Sequence, residues 1–254
     1  MMIMNKSKFK IIKSLVVFSF IFTLYNSFAQ TESKTNVFMG KKYFSFIIKI
    51  DSSSIKKFKI VTNANGIPHS NLLDSIQKDN FFLTTTSIVD KNCMPLGFYC
   101  VKGNILQPIN DSNGIGNFYL KPNGALLITK DEAIVCSSDE INKYNNIRLG
   151  IQSGPMLIIN DSINKKFNSN SNNKHIRSGV GIFNNKKGEK FIVFSISDTL
   201  VSFYDFALFL KNKYNVKNAL CLESARSVMN IPFLENKTDD SNQIVCRYII
   251  FDGR

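Results

Sequence analysis

Ile151-Gln152-Ser153-Gly154-Pro155-Met156-Leu157, Ile176-Arg177-Ser178-Gly179-Val180-Gly181 and Asn218-Ala219-Leu220-Cys221-Leu222-Glu223-Ser224-Ala225-Arg226-Ser227 decide how this chain is read. Each joins an apolar run to a small group of polar or ionisable residues. Between the last two lie an apolar run, Phe191 to Ile196, and an amphipathic segment, Ser202 to Tyr214. Short apolar runs rich in β-branched residues predict strands, and polar groups at strand ends are where sites tend to be built. The stretch from Ile147 to Met229 is therefore expected to carry chemistry. The remainder reads as scaffold, address label or facing wall.

Working outward, Tyr43 to Ile50 alternates Phe44, Phe46, Ile48 and Ile50 on one side, as a half-buried strand would. Phe58 to Val61 is a second strand, and Ser70 caps a helix with Leu72, Leu73 and Ile76 on one face. Phe81 to Val89 is strand-like. Leu96 to Val101 and Ile105 to Ile109 flank Lys102-Gly103-Asn104, a hairpin connection. Gly116 to Leu120 and Ala125 to Thr129 are read as another pair, around the turn-forming Lys121-Pro122-Asn123-Gly124. Ser138 opens a brief helix to Tyr144.

Further strands are expected at Pro155 to Ile159, Val180 to Phe183, Phe191 to Ile196, Val216 to Leu222 and Ile244 to Phe251. Polar loops fill Ser162 to Lys174 and Glu235 to Asn242. Ser202 with Asp205 resembles a capping box, and Phe203, Phe206, Ala207, Leu210 and Tyr214 mark the buried face of its helix. The sum is a mixed, strand-rich α+β fold: a single domain over 43–254 with about three helices.

Residues 1–29 stand apart. Lys6, Lys8, Lys10 and Lys13 precede a short apolar run, Leu15 to Leu24, and Ser27-Phe28-Ala29 has the small residues of a cleavage site. This reads as a signal peptide, with 30–42 as a linker. The mature chain is expected to be periplasmic or secreted, with no stable membrane anchor. Cleavage lowers the formal charge from +13 to about +9. The remaining lysines are scattered among asparagines without interleaved aromatics, so no nucleic-acid partner is expected. Five cysteines are too few for a disulfide scaffold. Cys93 and Cys100 are near enough in sequence to approach each other, while buried free thiols are favoured for most of the five. With only His69 and His175 available, zinc and Ser-His-Asp chemistries have little to work with.

Five blocks then resemble the phosphodiester glycosidase family. They are Pro95-Leu96-Gly97-Phe98-Tyr99, Gly116 to Gly124, Gln152 to Leu157, Arg177 to Gly181, and Tyr204-Asp205-Phe206-Ala207, in the family order. The resemblance implies a hydrolase that cleaves a sugar-1-phosphate diester in an envelope or host glycan, so a carbohydrate phosphodiester is the expected partner. It implies Glu223 as the catalytic carboxylate. Asp205 is a second candidate, whose other reading is a helix N-terminal partner. Arg177 beside Ser178 would hold phosphate. Thr85, Asn117, Gln152, Ser153 and Gly154 would position the sugar, with Ser227 in a later position of the same motif.

Two blocks depart from the family pattern: Thr85 stands where Asn is usual, and Glu223-Ser224 where Asp-Gly is usual. A noncatalytic glycan-binding relative is the alternative that these departures favour. Arg226 has no family counterpart; contact with phosphate and neutralisation of Glu223 are both open to it. No cofactor is expected, and a divalent metal and the oligomeric state are left open.

Overall fold

The computed structural model describes residues 30–63, 82–223, 227–232, 234, 237–238 and 245–252. The helix expected from Ser70, and the positions of Ser224 and Arg226, lie outside them.

Three antiparallel sheets share one interior. The largest has the order β1 (Thr31–Phe38), β2 (Lys41–Lys49), β13 (Lys190–Ser197), β12 (Ser178–Asn184), β14 (Asn218–Cys221), β10 (Met156–Ile159) and β11 (Ser162–Ile163). A second runs β16 (Lys237–Thr238), β15 (Val228–Asn230), β4 (Phe82–Thr85), β17 (Arg247–Phe251) and β3 (Phe58–Thr62). The third runs β6 (Asn104–Gln107), β5 (Tyr99–Val101), β9 (Leu149–Ser153), β7 (Gly124–Ile128) and β8 (Ala133–Ser137). Two α-helices are seen among the described residues, the single turn α1 (Ser54–Lys57) and α2 (Phe203–Tyr214). None of the described helices is long and apolar enough to cross a membrane.

The common core explains the Phe-rich composition. Phe44, Phe46 and Ile48 of β2 meet Phe58, Phe82, Phe194 and Phe251 from other strands. Phe46 stacks on Phe82 with ring centroids 4.6 Å apart. The opposite face of the large sheet is covered by α2: Tyr43 and Ile47 pack with Phe206, Phe209 and Leu210, and Tyr43 stacks on Phe209 at 3.9 Å. β2 is thus buried on both faces from Tyr43 to Ile48, not half-buried as its alternation suggests. Ser45 escapes an unsatisfied burial by bonding the Ser195 hydroxyl at 2.8 Å.

Other expectations change for identifiable reasons. The supposed linker forms β1, which pairs with β2 in register from Thr31↔Ile48 to Phe38↔Lys41. Its polar composition is that of an edge strand held by its backbone ladder. Gly116 to Leu120 is no strand: Gly116 takes φ 104°, and Asn117–Tyr119 is a 3₁₀ turn that buries Phe118. β7 pairs instead with β8 and β9. The Lys102-Gly103 hairpin forms as expected, with positive φ at both residues.

The cysteine pairing is also corrected. Cys93 is bonded to Cys246, with Cα atoms 5.5 Å apart, while Cys100, Cys136 and Cys221 are free and buried. Nearness in sequence misleads here, because β17 returns to lie beside β4.

Candidate active site

β14 carries its apolar residues into the interior, and Leu222-Glu223 follow its last residue, Cys221. Three buried serines fix that end. Ser153 Oγ donates to the Leu222 carbonyl at 2.7 Å. Ser178 Oγ and Ser227 Oγ both lie in reach of the Glu223 carbonyl, at 3.0 and 2.6 Å, and 3.2 Å from each other. The Leu222 N–H donates to the Ser178 carbonyl at 3.1 Å. These hydroxyls act on the backbone that carries Glu223. Their effect is to position it.

Glu223 borders a narrow cleft with Thr85, Thr86, Ser87, Val89, Val245, Cys246 and Arg247. Thr85 ends β4, paired with Tyr248 of β17. Arg247 opens β17, paired with Thr62, and its carbonyl accepts the Thr86 N–H at 3.2 Å. The Cys93–Cys246 bond ties this corner to the segment after β4. Thr85 Oγ1, Ser87 Oγ, and Arg247 Nε and Nη1 are buried without a hydrogen-bond partner among the described residues. Unpaired buried donors are costly and uncommon, and a functional site is one reason to retain them.

The other expected site residues are distributed differently. Arg177 is wholly buried, with its guanidinium carbon 3.7 Å from the Phe203 ring centroid. Nε points to the Val201 carbonyl at 3.4 Å and Nη2 to the Asn173 carbonyl at 3.3 Å; Nη1 has no partner. Burial draws its pKa down. A ring thus covers one face of the guanidinium and two of its nitrogens face carbonyls.

Asn117 lies apart from the Glu223 cleft, in a pocket lined by Phe167, Asn173, Phe203 and Tyr204. Asp205 completes a capping box with Ser202 and pairs with Lys41 at 2.8 Å. Burial tends to raise its pKa, but the Lys41 and Ser202 hydrogen bonds outweigh that and hold it low. A carboxylate so engaged serves the helix.

Gln152 is fully committed as well. Its Oε1 accepts from the Phe98 and Asn110 N–H groups, both at 2.9 Å, and its Nε2 donates to the Asn110 carbonyl at 2.8 Å. Gly154 does permit the close approach its sequence context suggests. A Cβ there would lie 2.6 Å from Asn123 Oδ1 and 3.0 Å from the Phe118 carbonyl. Burial pushes the Cys221 thiol up to about 12, with Arg177 opposing and Glu223 adding to the shift, so it is no nucleophile.

Two residues escaped the sequence reading. Asn123 reads as a turn residue, yet both of its amide atoms are buried and unpartnered. Arg247 lay unnoticed at the start of a strand. It falls inside the strand expected from Ile244 to Phe251, where nothing in the local sequence marks it. Among the described residues no three His, Cys, Asp or Glu side chains group closely enough to hold a metal ion.

The sheets and this strand-end carboxylate define a strand-rich α+β domain with a polar cleft where two sheets meet. Residues 76–246 match the model of the phosphodiester glycosidase family, and the chain belongs to that family. It is 37% identical over 142 residues to the uncharacterised protein YigE of Escherichia coli (strain K12), a match that covers 56% of this chain and 54% of the relative. The chain thus spans about half the length of that curated relative. The fold is similar to the catalytic domain of zebrafish N-acetylglucosamine-1-phosphodiester alpha-N-acetylglucosaminidase, solved auto-inhibited by its pro-peptide. That similarity has a TM-score of 0.55 at 15% identity and covers 88% of this chain and 82% of the other.

Proposed function

We propose that the protein is an exported hydrolase that cleaves the glycosidic bond between a sugar and a phosphodiester. Family membership supports the reaction class. The observation that carries the reading is a carboxylate, Glu223, sharing a cleft with hydroxyls and a guanidinium, while its backbone is pinned by Ser153, Ser178 and Ser227. The bond from the anomeric carbon to the phosphate oxygen breaks, and its electron pair leaves with the phosphate. Glu223 stabilises the positive charge that develops on the sugar or takes a proton from the attacking water. The products are a free sugar and a phosphomonoester. Export is supported by the basic and apolar leader at 1–29 and by the Cys93–Cys246 bond, which suits an oxidising compartment.

The test is hydrolysis of an N-acetylglucosamine-1-phosphate diester by the mature chain beside Glu223→Gln. The variant is expected to lose at least a hundredfold in kcat with its melting temperature nearly unchanged. Equal turnover would remove Glu223 from the chemistry. Saturable glycan binding without turnover in the wild type would favour a noncatalytic relative.

A further inference from the structure

A groove of about 650 Å³ lies away from Glu223, where β5 and β6 meet α1 and the segment before β9. That volume falls within the ~300–1,000 Å³ usual for ligand sites. Its floor is apolar, formed by Phe98, Cys100 and Ile147, and Ile105 of the edge strand β6 stands 65% exposed beside it. Four cations from separate segments line the groove. They are Lys56 of α1, Lys102 of the β5–β6 hairpin, Lys130 between β7 and β8, and Arg148 just before β9. Among the described residues no Asp or Glu lines it.

Eight lysines elsewhere each pair with a carboxylate, whereas Lys56, Lys102 and Lys130 form no ion pair among the described residues. The neighbouring acids are already taken up or turned away. Glu132 and Glu140, whose charges reach Tyr144 on the groove wall, pair with Lys190 at 2.8 Å and Lys143 at 3.0 Å. Asp131 follows Lys130 in the chain but is exposed and absent from the lining. Arg148 is anchored without being neutralised: Nη1 donates to the Phe58 carbonyl at 2.9 Å and Nη2 to the Ile55 carbonyl. A concave surface lined by one sign of charge concentrates the opposite sign, so the groove favours an anionic occupant.

We propose that this groove docks an anionic sugar-phosphate polymer, the chain in which the scissile bond lies. The assignment rests on the phosphodiester glycosidase reading for its choice of polyanion. Arg148 precedes β9 and Ser153, which holds the Leu222 carbonyl, ends it. The groove and the Glu223 segment therefore flank one strand, roughly 17 Å apart along it. A single sugar phosphate is too short to engage both, and a chain of them is not. Spread lysines match repeating charge, the apolar floor suits the faces of sugar rings, and the amides of Asn145 and Asn146 can bond hydroxyls. Nucleic-acid bases would need exposed rings to stack on, and Phe98 is buried.

Calorimetry on the mature chain tests it with a phosphomannan bearing mannose-1-phosphate diesters, beside the same mannan without phosphate. The parent for these titrations is Glu223→Gln, which keeps the polymer intact. Phosphomannan is expected to bind, with an affinity that falls as salt rises, and mannan is not. Adding Lys56→Gln, Lys102→Gln and Lys130→Gln together should weaken phosphomannan at least tenfold. The melting temperature should hold, because these exposed lysines make no ion pair. The same three positions changed to Arg should retain the binding. If the triple Gln variant fails to fold, the three single variants carry the test, each weakening the polymer severalfold.

Equal binding of mannan, no binding of phosphomannan, or unchanged affinity in the Gln variants would overturn the proposal. So would equal or tighter binding of poly-glutamate or of a single-stranded oligonucleotide of matched charge. The assay on the small diester separates its fate from that of the catalytic reading. Phosphomannan held through the lysines, with no diester turnover by the chain that keeps Glu223, leaves the groove standing and removes the hydrolase. Turnover that depends on Glu223, with polymer binding indifferent to the lysines, does the reverse.

Discussion

Gln152 shows how a residue near the chemistry can act through the backbone. Its amide satisfies two N–H groups and one carbonyl at the end of the β5–β9 pairing, where its own N–H donates to the Phe98 carbonyl at 2.8 Å. Its neighbour Ser153 then reaches the Leu222 carbonyl, one residue before Glu223. Gly97 makes room for the arrangement, since a Cβ at that position would lie 2.4 Å from Gln152 Oε1. Gln152→Ala should therefore leave the Phe98 and Asn110 N–H groups unpaired and cost about 2–4 kcal/mol. Urea unfolding measures this, and a loss under about 0.5 kcal/mol would mean that water takes over the amide's role. The motif Gln152-Ser153-Gly154 stood out in the sequence. That the glutamine faces inward did not, because its partners come from Phe98 and Asn110, far away in sequence.

Among the elements, α2 was the most legible, since helical spacing of apolar residues and a capping box are both local signals. The core strands β12, β13 and β14 could be read for the same reason, from their apolar runs. β1 could not, because its pairing with β2 is a backbone matter that polar side chains conceal. The Arg247 corner depends on β17 lying between β3 and β4, a contact between distant segments that carries no local signature.

The cap of α2 makes a pH-dependent prediction. Asp205 has its folded pKa depressed, so its contribution is complete above the ordinary carboxylate value of about 4 and is lost as pH falls through the lower folded value. Asp205→Asn should cost about 1 kcal/mol at neutral pH, and the gap to wild type should narrow as pH falls below about 4. Chemical denaturation on both sides of that value checks it. A gap that widens on acidification would reverse the sign argued here.

At the scale of the whole molecule, the Cys93–Cys246 bond closes a loop of sequence separation 153 across the corner where the cleft lies. A cross-link over so long a loop limits the unfolded chain severely. The loop-entropy model gives up to about 5 kcal/mol, and about 2–4 is usual once other effects enter. For a chain of this size, about 3 kcal/mol corresponds to a drop in melting temperature of roughly 10 °C on reduction. The paired variant Cys93→Ser/Cys246→Ser should melt at the reduced protein's temperature and no longer respond to reductant.

Thiol counting supplies the independent check. Of five cysteines, Cys100, Cys136 and Cys221 are free, so alkylation of the unfolded, unreduced chain should add three labels, and five after reduction. Five labels before reduction, in protein recovered from an oxidising compartment, would show that the bond does not form. If the bond does form, protein made without residues 1–29 in a reducing cytosol should keep the three sheets, whose pairing does not depend on the cross-link. It should nevertheless melt lower until oxidised. The stability of the cleft corner would then be set by the compartment as well as by the sequence.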